Sequence, residues 1–135
     1  MFKNLNLSEK KIRFVLYIML AAITIAVYSH ISQFDFVFDD ASYITENRNI
    51  KLGLSVEGFH WAFTTKYLGL WNPLVWLSLM FDYQLYGMNA GAFHMTNLIL
   101  HILSTLLLFW LFHRMTGEIW KIAFVAAFFA LHPLH

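Results

Sequence analysis

The chain has 135 residues, of which 59% are hydrophobic, 19% aromatic and only 13% charged, with a formal net charge of +1 and no cysteine. A water-soluble domain carries about 25% charged residues, so water is not the only solvent this chain meets. The near-neutral balance and the lack of a Gly-rich phosphate loop point to no nucleic-acid partner. The missing cysteines exclude disulfides and thiolate-held zinc.

Lys3, Lys10, Lys11 and Arg13 lead into the first apolar run. Residues 12–31 predict a transmembrane helix, since about 20 helical residues cover roughly 30 Å of hydrocarbon. The basic lead places residues 1–11 in the cytoplasm by the positive-inside rule. A cleaved signal peptide shares this pattern, but Val27-Tyr28-Ser29 is a poor substitute for an Ala-x-Ala site, so an uncleaved anchor is expected.

Residues 32–93 then form a large first outer loop. It holds a short helix near 56–65 and a greasier one over 73–86. For the second, Asn72 is the expected cap, Pro73 opens the first turn and Gly87 stops it. This helix is too short to cross and contains Asp82, so it is expected to lie in the membrane interface. Trp61, Trp71, Trp76, Tyr83 and Tyr86 suit the headgroup level. A second span over 94–112 ends in a cytoplasmic turn, 113–121, carrying Arg114 and Lys121. A third apolar run, 122–135, reaches "LHPLH", with Pro133 ending or kinking it. The fold class is therefore an all-α membrane protein of about three transmembrane helices with interfacial helices in the first outer loop.

Three groups of residues stand out on the outer side. Asp39 and Asp40 follow the first span; one can cap a helix starting at Ala41, and one can serve as a general base. An extended run would project Asp40 together with Phe34, Phe36 and Phe38 and favour it as the base, whereas a turn at Asp39 reverses the choice. His94, Asn97, His101 and Ser104, spaced three, four and three, share one helical face and form either a site wall or interhelical hydrogen bonds. His132 and His135 flank Pro133 without the supporting ligands of a zinc site, so no metal site is assigned.

Longer stretches carry a resemblance. "FVFDDASYITEN", "WNPLVWLSLMFDYQLYGMNAGAFHMTNLILHILSTLLLFWLFHRMTG" and "AFVAAFFALHPLH" are similar to the start of the membrane-embedded, tetratricopeptide-repeat-bearing glycosyltransferases. These are bacterial relatives of the eukaryotic transmembrane and TPR-repeat O-mannosyltransferases. The resemblance implies the GT-C architecture in a bacterial inner membrane. It also implies transfer of a sugar, mannose in the eukaryotic branch, from a polyprenyl-phosphate donor to a hydroxyl, in that branch one of a protein.

Carried onto this chain, it implies Asp39 and Asp40 as the catalytic acidic motif, one as base and the other orienting the acceptor or holding a divalent cation. Tyr43, Trp71, Asp82, His94, Asn97, His132 and His135 are the implied substrate-binding positions. Leu70, Asn72, Val75 and Leu79 depart from the pattern, which commonly has Asn, His, Thr and His there. Because such proteins continue past "HPLH" into further spans and repeats, the resemblance also implies an N-terminal fragment, inactive alone. The alternative class is a non-catalytic membrane component that binds a lipid carrier.

Overall fold

Leu7–Tyr28 forms helix α1, which tightens into a 3-10 turn at Ser29–Gln33. Helices α2 (Val56–Thr64), α3 (Pro73–Tyr86), α4 (Ala90–Thr116) and α5 (Ile119–Leu131) follow. The computed structural model describes residues 7–132, and among these every helix or strand assigned is helical. Helices α1 and α4 are long and apolar enough to cross a membrane. Their 22 and 27 residues correspond to about 33 and 40 Å at 1.5 Å per residue. The 13 residues of α5 are apolar but too few for a full crossing.

Phe14, Ile18 and Met19 on α1 and Ile99, Leu103 and Leu107 on α4 are all exposed. Apolar faces of this extent are foreign to a water-soluble surface and natural in lipid. The chain is an all-α membrane protein, with two helices of full spanning length and a shorter third.

The chain divides into two compact units. The first takes the chain up to His30 and from Asn97 onward. Its core joins Leu16 and Leu20 of α1, Phe109 of α4, and Ile122 and Ala126 of α5. Small side chains on α5, Ala123, Ala126, Ala127 and Ala130, allow close approach where no hydrophobic force distinguishes helix from lipid. The buried hydroxyls of Thr24 and Thr105 donate to Leu20 O and His101 O, four residues back on their own helices. That satisfies them without a partner helix. Gly117, at φ 75°, closes α4 by donating its N–H to His113 O at 3.1 Å.

The second unit, Ile31–Thr96, packs Ile50, Ala62, Trp76 and Met80 at its centre. Ser55 caps α2, accepting from the Gly58 N–H at 3.0 Å. Gly58 itself must be glycine: a Cβ there would lie 2.3 Å from Gly53 O.

Two expectations for this unit need correction. Asn72 does not cap α3 with its side chain; only its carbonyl takes part, accepting the Trp76 N–H at 3.1 Å. Pro73 at the first position has no N–H, so the helix start has one unpaired backbone donor fewer. Trp76 does not reach the headgroups either. It is fully buried, stacked on Tyr43 at 5.5 Å and met edge-on by Trp61 at 5.5 Å and Tyr67 at 5.6 Å. Helix α3 is apolar all round, so the face turned to α2 carries an aromatic core, half-burying Trp61 and Tyr83. Trp71 and Tyr86 remain exposed.

Candidate functional site

The acidic pair sits in a turn rather than an extended run. Phe38 adopts φ 49°, in the left-handed region, and reverses the chain. The Asp40 N–H donates to Val37 O at 3.0 Å, and the Val37 N–H donates to Asp40 Oδ2 at 3.0 Å. The turn is thus closed at both levels, backbone and side chain.

Asp40 precedes a π-helical turn, Ala41–Thr45, closed by the Glu46 N–H on Ala41 O at 2.8 Å, but its carboxylate makes no cap bond there. The expected cap is corrected for a plain reason: that carboxylate already serves Val37. Asp39 contributes its carbonyl to the Tyr43 N–H at 3.0 Å, and its side chain is exposed. The two carboxylates therefore have different work, and it is Asp39 whose charge is accessible.

This loop rests on the start of α4. Asn89 opens that helix, its Oδ1 accepting the Ala92 N–H at 3.2 Å. Phe36 lies edge-on to Phe93 at 5.5 Å, and His94 Nε2 is 3.4 Å from Asp35 O. A carbonyl only accepts, so the imidazole donates in that contact. Gly91 makes the approach feasible, since a Cβ there would meet Ser32 O at 2.3 Å. His94 is thereby joined to the strand that carries Asp39 and Asp40.

The expected polar stripe is only partly turned to protein. His101 Nε2 lies 3.0 Å from Ala130 O, one of the carbonyls that the end of α5 leaves without a helical partner. Asn97 and Ser104 are exposed, and the Ser104 hydroxyl donates to Leu100 O at 2.9 Å. The buried line of α4 runs through Leu98, Thr105 and Phe109, which places Asn97 and Ser104 on its flank. At the same end of α5, the Tyr28 hydroxyl donates to His132 O at 3.3 Å. The His132 ring lies 5.2 Å from Phe128. His135 and Pro133 fall outside the described residues.

The remaining candidates are structural in placement. Tyr43 is half-buried on Trp76, and the exposed Trp71 donates Nε1–H to Phe63 O at 2.9 Å. Asp82 is 2% exposed and accepts the Thr96 hydroxyl at 2.7 Å. Burial pushes its carboxyl above the ordinary range, and the Thr96 hydrogen bond holds it back in part. A carboxylate so enclosed does not present itself to a substrate.

Asp39, Asp40, Tyr43, Trp71, Asp82 and His94 lie in the second unit, and Asn97 and His132 in the first. Sequence reasoning missed Asp35, Tyr28 and Thr96. The first acts through its backbone, and the other two are ordinary residues on apolar helices. Among the described residues no three metal-ligating side chains converge.

Comparison with known proteins finds relatives of one kind. It is 32% identical to human protein O-mannosyl-transferase TMTC1 over an aligned length of 129 residues, covering 87% of this chain. Its distant relatives are protein O-mannosyl-transferases. The mouse TMTC1 protein is likewise 32% identical, and Drosophila melanogaster Tmtc2 is 28% identical over 74% of this chain. The chain spans 14% of the length of the human protein and 12% of the fly protein. No family model and no solved structure matches.

Proposed function

We propose that this chain is part of an integral-membrane glycosyltransferase of the GT-C kind, related to bacterial repeat-bearing members. It would move a sugar, mannose by likeness to the O-mannosyl-transferases, from a polyprenyl-phosphate donor to a protein hydroxyl. In this reading the N-terminus is cytoplasmic in a bacterial inner membrane, and residues 32–93 lie outside, as the basic residues at the start of α1 and around the turn between α4 and α5 favour. The single observation that carries the chemistry is the turn at Val37–Asp40. It holds Asp40 by its carboxylate and leaves Asp39 exposed beside it.

The step follows from that division. Asp39 takes the proton of the acceptor hydroxyl as its oxygen attacks the anomeric carbon. The bond from that carbon to the phosphate oxygen breaks, and the electron pair leaves with the polyprenyl phosphate. A base so placed contributes about 10²–10⁴-fold to the rate. Asp40 positions the turn, and His94 steadies its strand through Asp35. By the resemblance alone, His132 and His135 are the positions that would donate hydrogen bonds to the donor phosphate as negative charge builds there. Trp71, exposed beside α3, lies against the lipid part of the donor; Trp76, being core, does not. A divalent cation remains compatible with the exposed Asp39 carboxylate and is not required by the step.

The test is the complete protein in proteoliposomes, supplied with polyprenyl-phosphate mannose and an unstructured Ser/Thr-rich acceptor. Sugar transfer that fails in Asp39→Asn is expected. Failure of the intact protein with every polyprenyl-phosphate sugar offered would sink the reading.

A further inference from the structure

Phe38 combines two features that rarely meet. Its backbone is left-handed at φ 49°, a conformation bulky residues avoid, and its side chain is 97% exposed. Such a residue persists where the surroundings fix it, and here the Val37–Asp40 turn does so from both sides. The turn thus drives a phenyl ring away from the protein instead of tucking it in. Phe34 and Val37 are exposed beside it, so the tip is apolar throughout, while Phe36 alone packs inward on Phe93.

What covers this tip is indicated by its neighbour. The strand lies on the first turns of α4, where Asp35 and Phe36 meet His94 and Phe93. Met95, the residue after His94, is exposed and apolar, and α4 as a whole is long and apolar enough to cross a membrane. The segment that carries the tip is therefore seated on the start of a helix of membrane-spanning length. Charge narrows the choice of lipid: between Ile31 and Asn47 there are Asp35, Asp39, Asp40 and Glu46 and no Lys or Arg. An anionic headgroup layer would be repelled, so the attraction is apolar insertion and insensitive to salt.

We propose that Phe34, Val37 and Phe38 dip into the bilayer at the boundary of headgroups and acyl chains, fixing the acidic turn to the membrane surface. Asp39, the next residue, then rides at headgroup depth, the level at which a lipid-borne phosphate presents itself. The insertion stands on the apolar tip and its neighbour alone and does not depend on the transfer chemistry.

The experiment uses the natural lack of cysteine. Single variants Phe38→Cys and Phe34→Cys, with Lys51→Cys as the exposed polar control, are labelled with an environment-sensitive fluorophore in the full chain. They are reconstituted in phosphatidylcholine vesicles. The expected result is blue-shifted emission at positions 34 and 38, quenching by lipids carrying shallow nitroxides, and a severalfold weaker iodide quenching than at position 51, unchanged by added salt. Iodide access equal to that of position 51 overturns the proposal. Protection from iodide without quenching by nitroxide lipid also overturns it, because protein rather than lipid would then cover the tip. Since no sugar transfer is measured, failure here and failure of the transferase reading are separate events.

Discussion

Asp40 and Val37 are bonded twice, once through each other's backbone and once through the Asp40 carboxylate, both at 3.0 Å. Asp39, the adjacent acid, is held only by its carbonyl. Neutralising each acid in the complete protein should therefore give different defects. Asp39→Asn should cost at least about 10²-fold in transfer rate with membrane abundance unchanged. Asp40→Asn keeps an oxygen for the Val37 N–H, so its loss should be milder. Asp40→Leu, which keeps no acceptor, should lose the turn. Equal turnover in Asp39→Asn and the parent protein would make the pair purely structural.

The end of α5 supplies a second test. His101 donates to Ala130 O and Tyr28 to His132 O, so two carbonyls left over by the helix are met from α4 and α1. His101→Phe retains the ring volume and drops the donor. It should destabilise the protein by about 1 kcal/mol, in the range measured for hydrogen bonds between membrane helices. Tyr28→Phe removes a longer contact and should cost less. Denaturation in mixed micelles reads both. A neutral His101→Phe would show that the Ala130 carbonyl finds another donor.

Asp82 gives a pH dependence whose sign is fixed by burial. Its folded pKa is raised, so the folded state binds the proton more readily than the unfolded chain does. Its contribution to stability is therefore greatest below the ordinary Asp value of about 3.9 and declines as pH rises through the folded pKa. Asp82→Asn cannot ionise and still accepts from Thr96. Relative to the parent protein, it should gain in unfolding midpoint as pH rises from acid to neutral. Thr96→Val removes the hydrogen bond that lowers the pKa and should move the parent transition to higher pH. A midpoint difference between Asp82→Asn and parent that is flat with pH would show that the buried carboxyl does not titrate in this way.

These residues also show what the sequence could reveal. The all-helical membrane fold was legible because apolar runs of spanning length leave few alternatives in lipid. Pro73 and Gly87 mark in sequence the ends of the helix that the structure has between them. The burial of Trp76 was not legible, because a helix apolar on every side has no pattern to tell core face from lipid face. Nor was the rotation of α4 that exposes Asn97 and Ser104. Polar spacing gives a common face but not the direction it points when the buried line, Leu98, Thr105 and Phe109, lies to one side. The acidic turn was hidden for a different reason. Residue type argues against a left-handed phenylalanine, and the Val37–Asp40 turn, closed by backbone and carboxylate together, holds one.

Gly91 tests how the acidic strand is seated. In the interior of a helix, Gly→Ala ordinarily stabilises by about 0.5–1 kcal/mol. Here the added Cβ would lie 2.3 Å from Ser32 O and 3.2 Å from Ser32 C, both backbone atoms, which cannot swing aside as a flexible side chain would. The strand or the helix must shift, and the contacts of His94 with Asp35 O and of Phe36 with Phe93 lie within a turn of the clash. Gly91→Ala should thus lower the thermal midpoint in detergent despite its better helix propensity. In the complete protein it should reduce transfer without any change to Asp39 or Asp40. A raised midpoint would mean that the strand has room to withdraw, and that its seat on α4 does not hold the acidic turn in place.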